Sequence, residues 1–408
     1  MRLEPEIRRS PPDETPLPPS DPVLVELLRT EIAANGPITL ARFMEVALTD
    51  PDRGYYAAAD DRPTRSGDFL TAPELHPIFG ATIARSLDEQ WRALDRPDRF
   101  VLVELGSGSG ALALDVLRGL AAQGSGLVEA LRYEPVELMP ARVTRIRERV
   151  AAAGFRRAVD ETAEGRGTPV RGVRSRLDGG AFLANEFFDA LPVHRVQHLG
   201  GRFVELYVDR SEDPGGAFVE VPGAPSTPEL AERFAAEGVA LAPGQRAEVC
   251  LELERWIEVA TSGIERGFGL VIDYGFEAGD LYGPSRAAGT LRAYWRQRAH
   301  GDPFVAIGRQ DITAHVDFTA VERAAAGRGW RRAGLTTQAE FLVGSGLGEL
   351  LERRRADPTL DASDYLALRA SVGRLLDPAA LGGFRVLVLS HGMAEGERLA
   401  GLDYRVGH

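Results

Sequence analysis

The run Phe100-Val101-Leu102-Val103-Glu104-Leu105, followed by Gly106-Ser107-Gly108-Ser109-Gly110 and the helix-forming stretch ALALDVLRGLAA, constrains this chain's fold more than any other segment. A near-continuous apolar run ending at an acid reads as a strand buried on both faces, as in parallel sheets. Feeding through a glycine turn into a helix, it is the opening unit of a doubly wound α/β fold, whose ligand crevice lies at the carboxyl ends of the strands. The glycines let the backbone turn tightly and approach a ligand, and the helix that follows offers unpaired N–H groups. The spacing is G-x-G-x-G and not the G-x-G-x-x-G of dinucleotide sites, and Glu104 stands where S-adenosylmethionine sites carry an acid that positions the cationic end of that cofactor. By itself the turn leaves methyl transfer and nicotinamide binding both open.

Further buried strands are expected at about 128–133 (VEALRY), 181–184 (AFLA), 268–272 (FGLVI) and 384–389 (FRVLVL). The segment HRVQHLGGRFVELYV alternates around Gly200-Gly201 and predicts a β-hairpin, so residues 194–250, with a helix near 228–236, form an insertion in the sheet domain. Upstream, residues 21–98 read as a helical module. Asp21-Pro22 starts its first helix, Thr39 caps a second that stops at Asp50-Pro51, and a longer one runs from about Pro73 to Leu94. Residues 1–20 are proline- and charge-rich and read as a disordered tail. Residues 99–392 hold the sheet domain, with helices near 318–328, 338–355 and 361–376, and 393–408 form a carboxyl-terminal tail.

The 48 basic and 60 acidic side chains give a net charge of −12, and every basic residue is an arginine. Without lysine there is no Schiff-base amine and no P-loop phosphate ligand. The acidic balance argues against nucleic-acid binding and favours a cationic substrate or partner. Cys250 is the only cysteine, which excludes an intramolecular disulfide and a cysteine metal cluster. No apolar run is long enough for membrane insertion, and the amino terminus resembles neither a signal nor a transit peptide, so a cytoplasmic setting is expected.

Several polar clusters fall where strands leave the sheet. In Asn185-Glu186-Phe187-Phe188-Asp189-Ala190-Leu191-Pro192-Val193-His194, carboxylates can orient the N–H groups of an amine or guanidinium nucleophile. Glu186 is the first candidate, supported by Asn185 and Asp189, although the latter two can equally cap a short following helix. Tyr133-Glu134-Pro135 offers a carboxylate for two ribose hydroxyls. Gly67-Asp68-Phe69-Leu70-Thr71-Ala72-Pro73-Glu74 reads, on residue chemistry, as a cap with Thr71 as N-cap and Glu74 three residues on. Ile272-Asp273-Tyr274-Gly275 ends another strand. His315, flanked by Asp311 and Asp317, reads as an acid/base centre or as a buried structural histidine. No second histidine stands at ligand spacing, and no metal site is expected.

Together the pieces GPITLARFMEVALTDPDRGYY, SGDFLTAPEL, VELGSGSGAL, NEFFDALPVH, VIDYG, GTLRAY and QDITAHVDFT, in this order, resemble the MidA family of class I S-adenosylmethionine-dependent methyltransferases. The resemblance covers roughly residues 21–392. It implies a seven-stranded Rossmann-like methyltransferase sheet, S-adenosyl-L-methionine as methyl donor, and a protein substrate. Mitochondrial members look like arginine methyltransferases acting on a subunit of a respiratory complex. By this resemblance Gly106, Gly108 and Gly110 cradle the cofactor, Glu134 holds its ribose, and Gly67, Asp68, Thr71 and Glu74 become site wall. Ser107, Leu70 and His76 depart from the residues that members often carry. Two other classes stay in view: an assembly factor with a vestigial cofactor site, and a nicotinamide-dependent oxidoreductase.

Overall fold

The computed structural model describes residues 15–57, 71–160, 179–212, 217–296, 298–393 and 399–405. Gly67 and Asp68 lie outside the described residues, as do 1–14 of the expected tail. Residues 15–20 run without regular structure against a later part of the chain, where Arg298 Nη1 donates to Thr15 O at 2.6 Å and Ile307 N to Ser20 Oγ at 3.0 Å.

Helix α1 (Pro22–Asn35) begins as its sequence dictates: Asp21 Oδ1 accepts from Val23 N and Leu24 N at 3.0 and 3.3 Å. Thr39 caps α2 (Leu40–Thr49), its hydroxyl accepting from Arg42 N at 3.1 Å. The helix expected over 73–94 is two helices, Ala72–Leu75 and α3 (Ile78–Ala93). Pro77 separates them, because it cannot donate the N–H that a continuous helix needs. Residues 21–98 do not pack as one unit. Leu28, Phe43 and Met44 of α1 and α2 share a core with Val208, Phe218 and Ile312, whereas Phe79, Ile83 and Leu87 of α3 pack into the core of the main sheet.

That sheet is built from β1 (Phe100–Leu105), β2 (Leu131–Val136) and β3 (Gly180–Asn185), with α4 (Ala111–Ala122) after the glycine turn. An inserted antiparallel sheet follows: β4 (His194–Leu199), β5 (Arg202–Arg210), β6 (Phe218–Gly223) and β7 (Arg246–Val249). Gly200 and Gly201 take φ of 57° and 77°, which the two-residue hairpin turn between β4 and β5 requires. The two-residue strand Ile38–Thr39 joins this sheet along β5. β8 (Gly267–Asp273), β9 (Arg331–Thr337) and β10 (Arg385–His391) complete the main sheet in the order β9-β10-β8-β3-β1-β2. The central pairs β2–β1, β1–β3 and β3–β8 are parallel, and β10 is antiparallel to β8 and β9. Every residue of β1 and β8 is buried. Six strands stand among the described residues, against the seven that the resemblance implies; residues 161–178, between β2 and β3, lie outside them.

Five sequence-level placements shift. Residues 127–130 form a helical turn, so β2 begins at Leu131 and runs three residues past the expected end. The stretch 338–355 divides into Gln338–Gly344 and Leu347–Arg355 at Gly346, whose φ is 89°. β6, β7 and β9 stand where the sequence pattern predicts no strand; β9, RRAGLTT, is exposed over its first three residues and does not alternate as a half-buried strand would. No helix among the described residues is long and apolar enough to cross a membrane.

From β1 the chain goes outward to β2 and returns on the other side to β3. The order of strand addition thus reverses beside β1 while the strands stay parallel, and the carboxyl ends of β1 and β3 flank the crevice where such sheets bind ligands.

Candidate active site

The glycine turn is held open by geometry that side chains would spoil. Gly106 has φ 64°, and a Cβ there would sit 2.7 Å from Phe187 Cδ2. Gly110, at φ 74°, heads α4 without a side-chain cap, and a Cβ would meet Ile146 Cγ2 at 2.9 Å. Gly106 N donates to Val136 O at 3.0 Å, tying the turn to the end of β2. Glu104 is buried below it and accepts from the Tyr133 hydroxyl at 2.5 Å. Burial pushes the Glu104 carboxyl up to about 8, with the Tyr133 bond acting against that rise.

Glu134 lies inside β2, paired with Val103, rather than at the strand end. The acid at the end is Glu137, which the sequence reading passed over because it ended β2 three residues early. Glu137 Oε1 accepts from Gly108 N at 2.5 Å, and Oε2 meets Arg142 Nη1 at 3.2 Å. Arg142 in turn donates through Nη2 to Tyr56 O at 2.7 Å. The available signal was Met139-Pro140, which starts the next helix and so marks Glu137 as a strand-end residue.

On the other side of the crevice the structure brings together Glu74, Asn185, Glu186, Asp189, Asp273 and Asp311. Glu186 follows β3 with φ 51°, a conformation uncommon outside glycine and concentrated at functional sites. Its Oε1 accepts from Ala72 N and Asn185 Nδ2, both at 3.1 Å. Asp273, fully buried at the end of β8, accepts from Phe188 N, Asp189 N and Tyr274 N at 3.0, 3.3 and 2.9 Å, fixing the turn after Glu186. Asn185 Oδ1, Glu186 Oε2 and Asp189 Oδ1 are buried acceptors without a hydrogen-bond partner among the described residues. No helix follows Asp189, so it caps none.

Burial drives these carboxyls toward their neutral forms. Glu186 rises to about 8, opposed by the Ala72 N–H and reinforced by Asp189 and Glu74. Asp189 rises to about 7, opposed by the Tyr274 hydroxyl and reinforced by Asp311. Glu74 rises to about 6, with Thr71 acting against the rise. Thr71 occupies the N-cap position of Ala72–Leu75, but its side chain does not cap the helix. Tyr56 donates to Asp311 Oδ1 at 2.8 Å. A pocket crowded with protonated acids can ionise when a cation arrives to share their charge.

His315 stands beside the cluster, its ring edge-on to the Tyr274 ring at 5.3 Å, and its backbone N–H donates to Thr290 Oγ1 at 3.1 Å. Burial, with Arg286 and Arg292, pushes the ring down to about 4, so it is neutral near pH 7. Asp317 caps the helix Phe318–Ala326, accepting from Ala320 N at 3.0 Å, and Asp311 partners Tyr56. The flanking acids therefore serve other groups than His315.

A family model described as "Putative S-adenosyl-L-methionine-dependent methyltransferase" matches residues 82–336. The mitochondrial protein arginine methyltransferase NDUFAF7 homolog of Drosophila melanogaster is 32% identical, over 91% of this chain and 85% of its own length. The human mitochondrial protein arginine methyltransferase NDUFAF7 is 30% identical, over 78% of this chain and 71% of its own. A crystal structure from Burkholderia thailandensis, bound to S-adenosyl-homocysteine, superimposes with a TM-score of 0.80 at 34% identity and covers 95% of this chain and 98% of that one.

These relatives overturn the cytoplasmic expectation, since they are mitochondrial proteins. That expectation rested on a lone cysteine and on terminal composition, neither of which separates one reducing compartment from another. The glycine cradle, in which any Cβ at Gly106 or Gly110 collides, together with the strand-end acid Glu137, fits an adenosyl cofactor. With the family match spanning most of the sheet, the chain belongs to the S-adenosyl-L-methionine-dependent methyltransferases of this MidA-like family and is an enzyme of that class.

Proposed function

We propose that the chain methylates an arginine side chain of a partner protein. The observation that carries this reading is that three buried acceptors, Asn185 Oδ1, Glu186 Oε2 and Asp189 Oδ1, have no hydrogen-bond partner among the described residues. Buried acceptors without donors are costly, and a guanidinium brings five N–H donors in a planar fork. The relatives' own names support the same substrate class. A subunit of a respiratory complex is the partner implied by the resemblance, and the excess of acids would help draw a basic segment to the crevice. On this reading residues 99–392 carry the transfer chemistry.

Gly106, Gly108, Gly110, Glu104 and Glu137 are the residues to hold the cofactor, with Glu137 replacing Glu134 as the ribose acid. When bound, S-adenosylmethionine supplies an electrophilic methyl group. Asn185, Glu186 and Asp189 orient the guanidinium and hold its positive charge away from the reacting nitrogen. A guanidinium cannot be deprotonated beforehand, its pKa lying above ~12. Binding of the guanidinium favours the ionised form of Glu186 by placing a positive charge beside it, and the proton lost as the nitrogen is methylated then passes to Glu186 Oε2, which returns to the neutral form that burial favours. His315, neutral and facing aromatic rings, is a wall residue in this scheme.

The test is labelled-methyl transfer to lysate from a deletion strain, with mass spectrometry of the labelled band. Label on arginine of one protein, absent with Glu186→Gln enzyme, is the expected result. Label on another residue type would refute the substrate class. Because the chain itself carries 48 arginines, an enzyme-only control is needed.

A further inference from the structure

Tyr56 makes polar contacts toward both the glycine turn and the acid pocket. It comes from the loop after α2, where Tyr55 N and Tyr56 N donate to Ala47 O and Leu48 O at 3.0 and 2.9 Å, so the loop is anchored on that helix. Its hydroxyl donates to Asp311 Oδ1 at 2.8 Å, next to Asp189. Its carbonyl accepts from Arg142 Nη2 at 2.7 Å. Arg142 is buried, and its Nη1 meets Glu137 Oε2 at 3.2 Å, while Glu137 Oε1 takes Gly108 N at 2.5 Å. An unbroken series of polar contacts therefore runs from the glycine turn through Glu137, Arg142 and Tyr56 to Asp311.

We infer that Tyr56 is a positioning residue: its hydroxyl holds Asp311 in the acid pocket and its carbonyl ties that hold to Glu137, so that cofactor and guanidinium bind cooperatively. This depends on the pocket taking a guanidinium, as proposed above. The physical basis is shared ordering. A ligand that fixes Glu137 fixes Arg142 and, through it, the Tyr56 backbone. Asp311 then has less freedom to lose when a cation arrives, and linkage makes the effect reciprocal. The hydroxyl contributes a second element. Asp311 and Asp189 are neighbouring carboxyls in one pocket, and the Tyr56 hydroxyl fixes where the Asp311 carboxyl sits relative to Asp189.

The experiment is calorimetric titration of the full chain with S-adenosylhomocysteine, alone and with saturating N-ethylguanidinium as the probe of the acid pocket. Wild-type protein should bind S-adenosylhomocysteine about fivefold or more tightly when the probe is present. Tyr56→Phe should bind S-adenosylhomocysteine alone within about twofold of wild type, bind the probe about tenfold more weakly, and show no enhancement. A merely structural role would lower both affinities or neither, and would leave the enhancement intact. Arg142→Gln breaks the same route from the cofactor side and should also abolish the enhancement, with Tyr56 and Asp311 untouched. It decides the matter if Tyr56→Phe fails to fold. Wild-type enhancement surviving in a folded Tyr56→Phe or Arg142→Gln protein overturns the inference. Probe binding without any enhancement in wild type overturns it while leaving the arginine reading standing, whereas a wild-type pocket that rejects the probe brings down both.

Discussion

Replacing Glu186 by Gln keeps the shape of the side chain and removes its titration. Burial lifts this carboxyl from an ordinary 4.5 to about 8. At roughly 1.4 kcal/mol per tenfold, ionising it in the folded protein costs about 5 kcal/mol more than in the unfolded chain. The folded state therefore keeps a proton that the unfolded chain has released. The stabilisation is complete below pH 4.5 and is lost as pH rises through about 8. Integrated from pH 6 to pH 9, this one group removes about 2–3 kcal/mol of wild-type stability, as an upper figure. Glu186→Gln lacks that slope, so the stability difference between the two proteins should shift by that amount toward the variant. Glu104 titrates in both proteins and cancels; Asp189 and Asp273, close to Glu186, cancel in part. Urea unfolding of ligand-free protein, followed by tryptophan fluorescence at each pH, gives the difference directly. Parallel profiles for the two proteins would refute the idea that Glu186 holds a proton in a dry pocket. In the same variant, S-adenosylhomocysteine binding should persist within about twofold while methyl transfer falls at least about a hundredfold.

Glu137→Ala should weaken S-adenosylhomocysteine binding by about 10–100-fold in calorimetry, and Glu134→Ala by no more than about twofold; the reverse ranking would return the ribose role to Glu134. Gly106→Ala combines φ 64° with a Cβ 2.7 Å from Phe187, whereas Gly108→Ala has φ 54° and no atom nearer than 3.9 Å. The first should lose about 2 kcal/mol or more with most cofactor binding, and the second about 1 kcal/mol in thermal unfolding. At Asp21 burial acts upward, but the Leu24 and Val23 N–H groups, Arg53 and Arg309 outweigh it and hold the carboxyl below its ordinary value. Asp21→Ala should therefore cost about 1–2 kcal/mol at pH 7, a difference that shrinks as pH falls through the lowered value. His315→Asn should leave the pH dependence of turnover between pH 6 and 8 unchanged, since the ring titrates near 4; a flattened profile would make His315 the proton acceptor.

Much of the main sheet is readable from local pattern. β1, β3, β8 and β10 are apolar runs bounded by turn residues, and burial on both faces makes such runs conspicuous. β2 is harder, because Leu127–Ala130 carries the same apolar character in a helical turn and moves the strand forward. That shift hid Glu137 and promoted Glu134. The acids of the site divide in the same way. Glu186 and Asp189 are visible because they follow a strand, whereas Asp311 becomes part of the pocket only through tertiary contacts with Tyr56 and Asp189. The role of Arg142 was invisible for the same reason: Tyr56 and Glu137 are far apart in sequence, and neither announces a shared cation. The break at Pro77 was legible, and reading a single helix across it was an error of pattern over backbone chemistry.

The core beneath the inserted sheet draws Leu24 and Phe43, Val208 and Phe218, and Ile307 and Ile312 into one cluster. On the ribosome the two helices that open this cluster emerge first, yet the residues that seal it come nearly three hundred positions later. At about 5–20 residues per second, α1 and α2 wait roughly 15–60 s for their last partners. Throughout that interval their apolar faces are exposed to other chains. The core beneath the inserted sheet thus cannot close until Ile307 and Ile312 have emerged, and the yield of the protein in a cell should depend on chaperones that shield α1 and α2 over that interval.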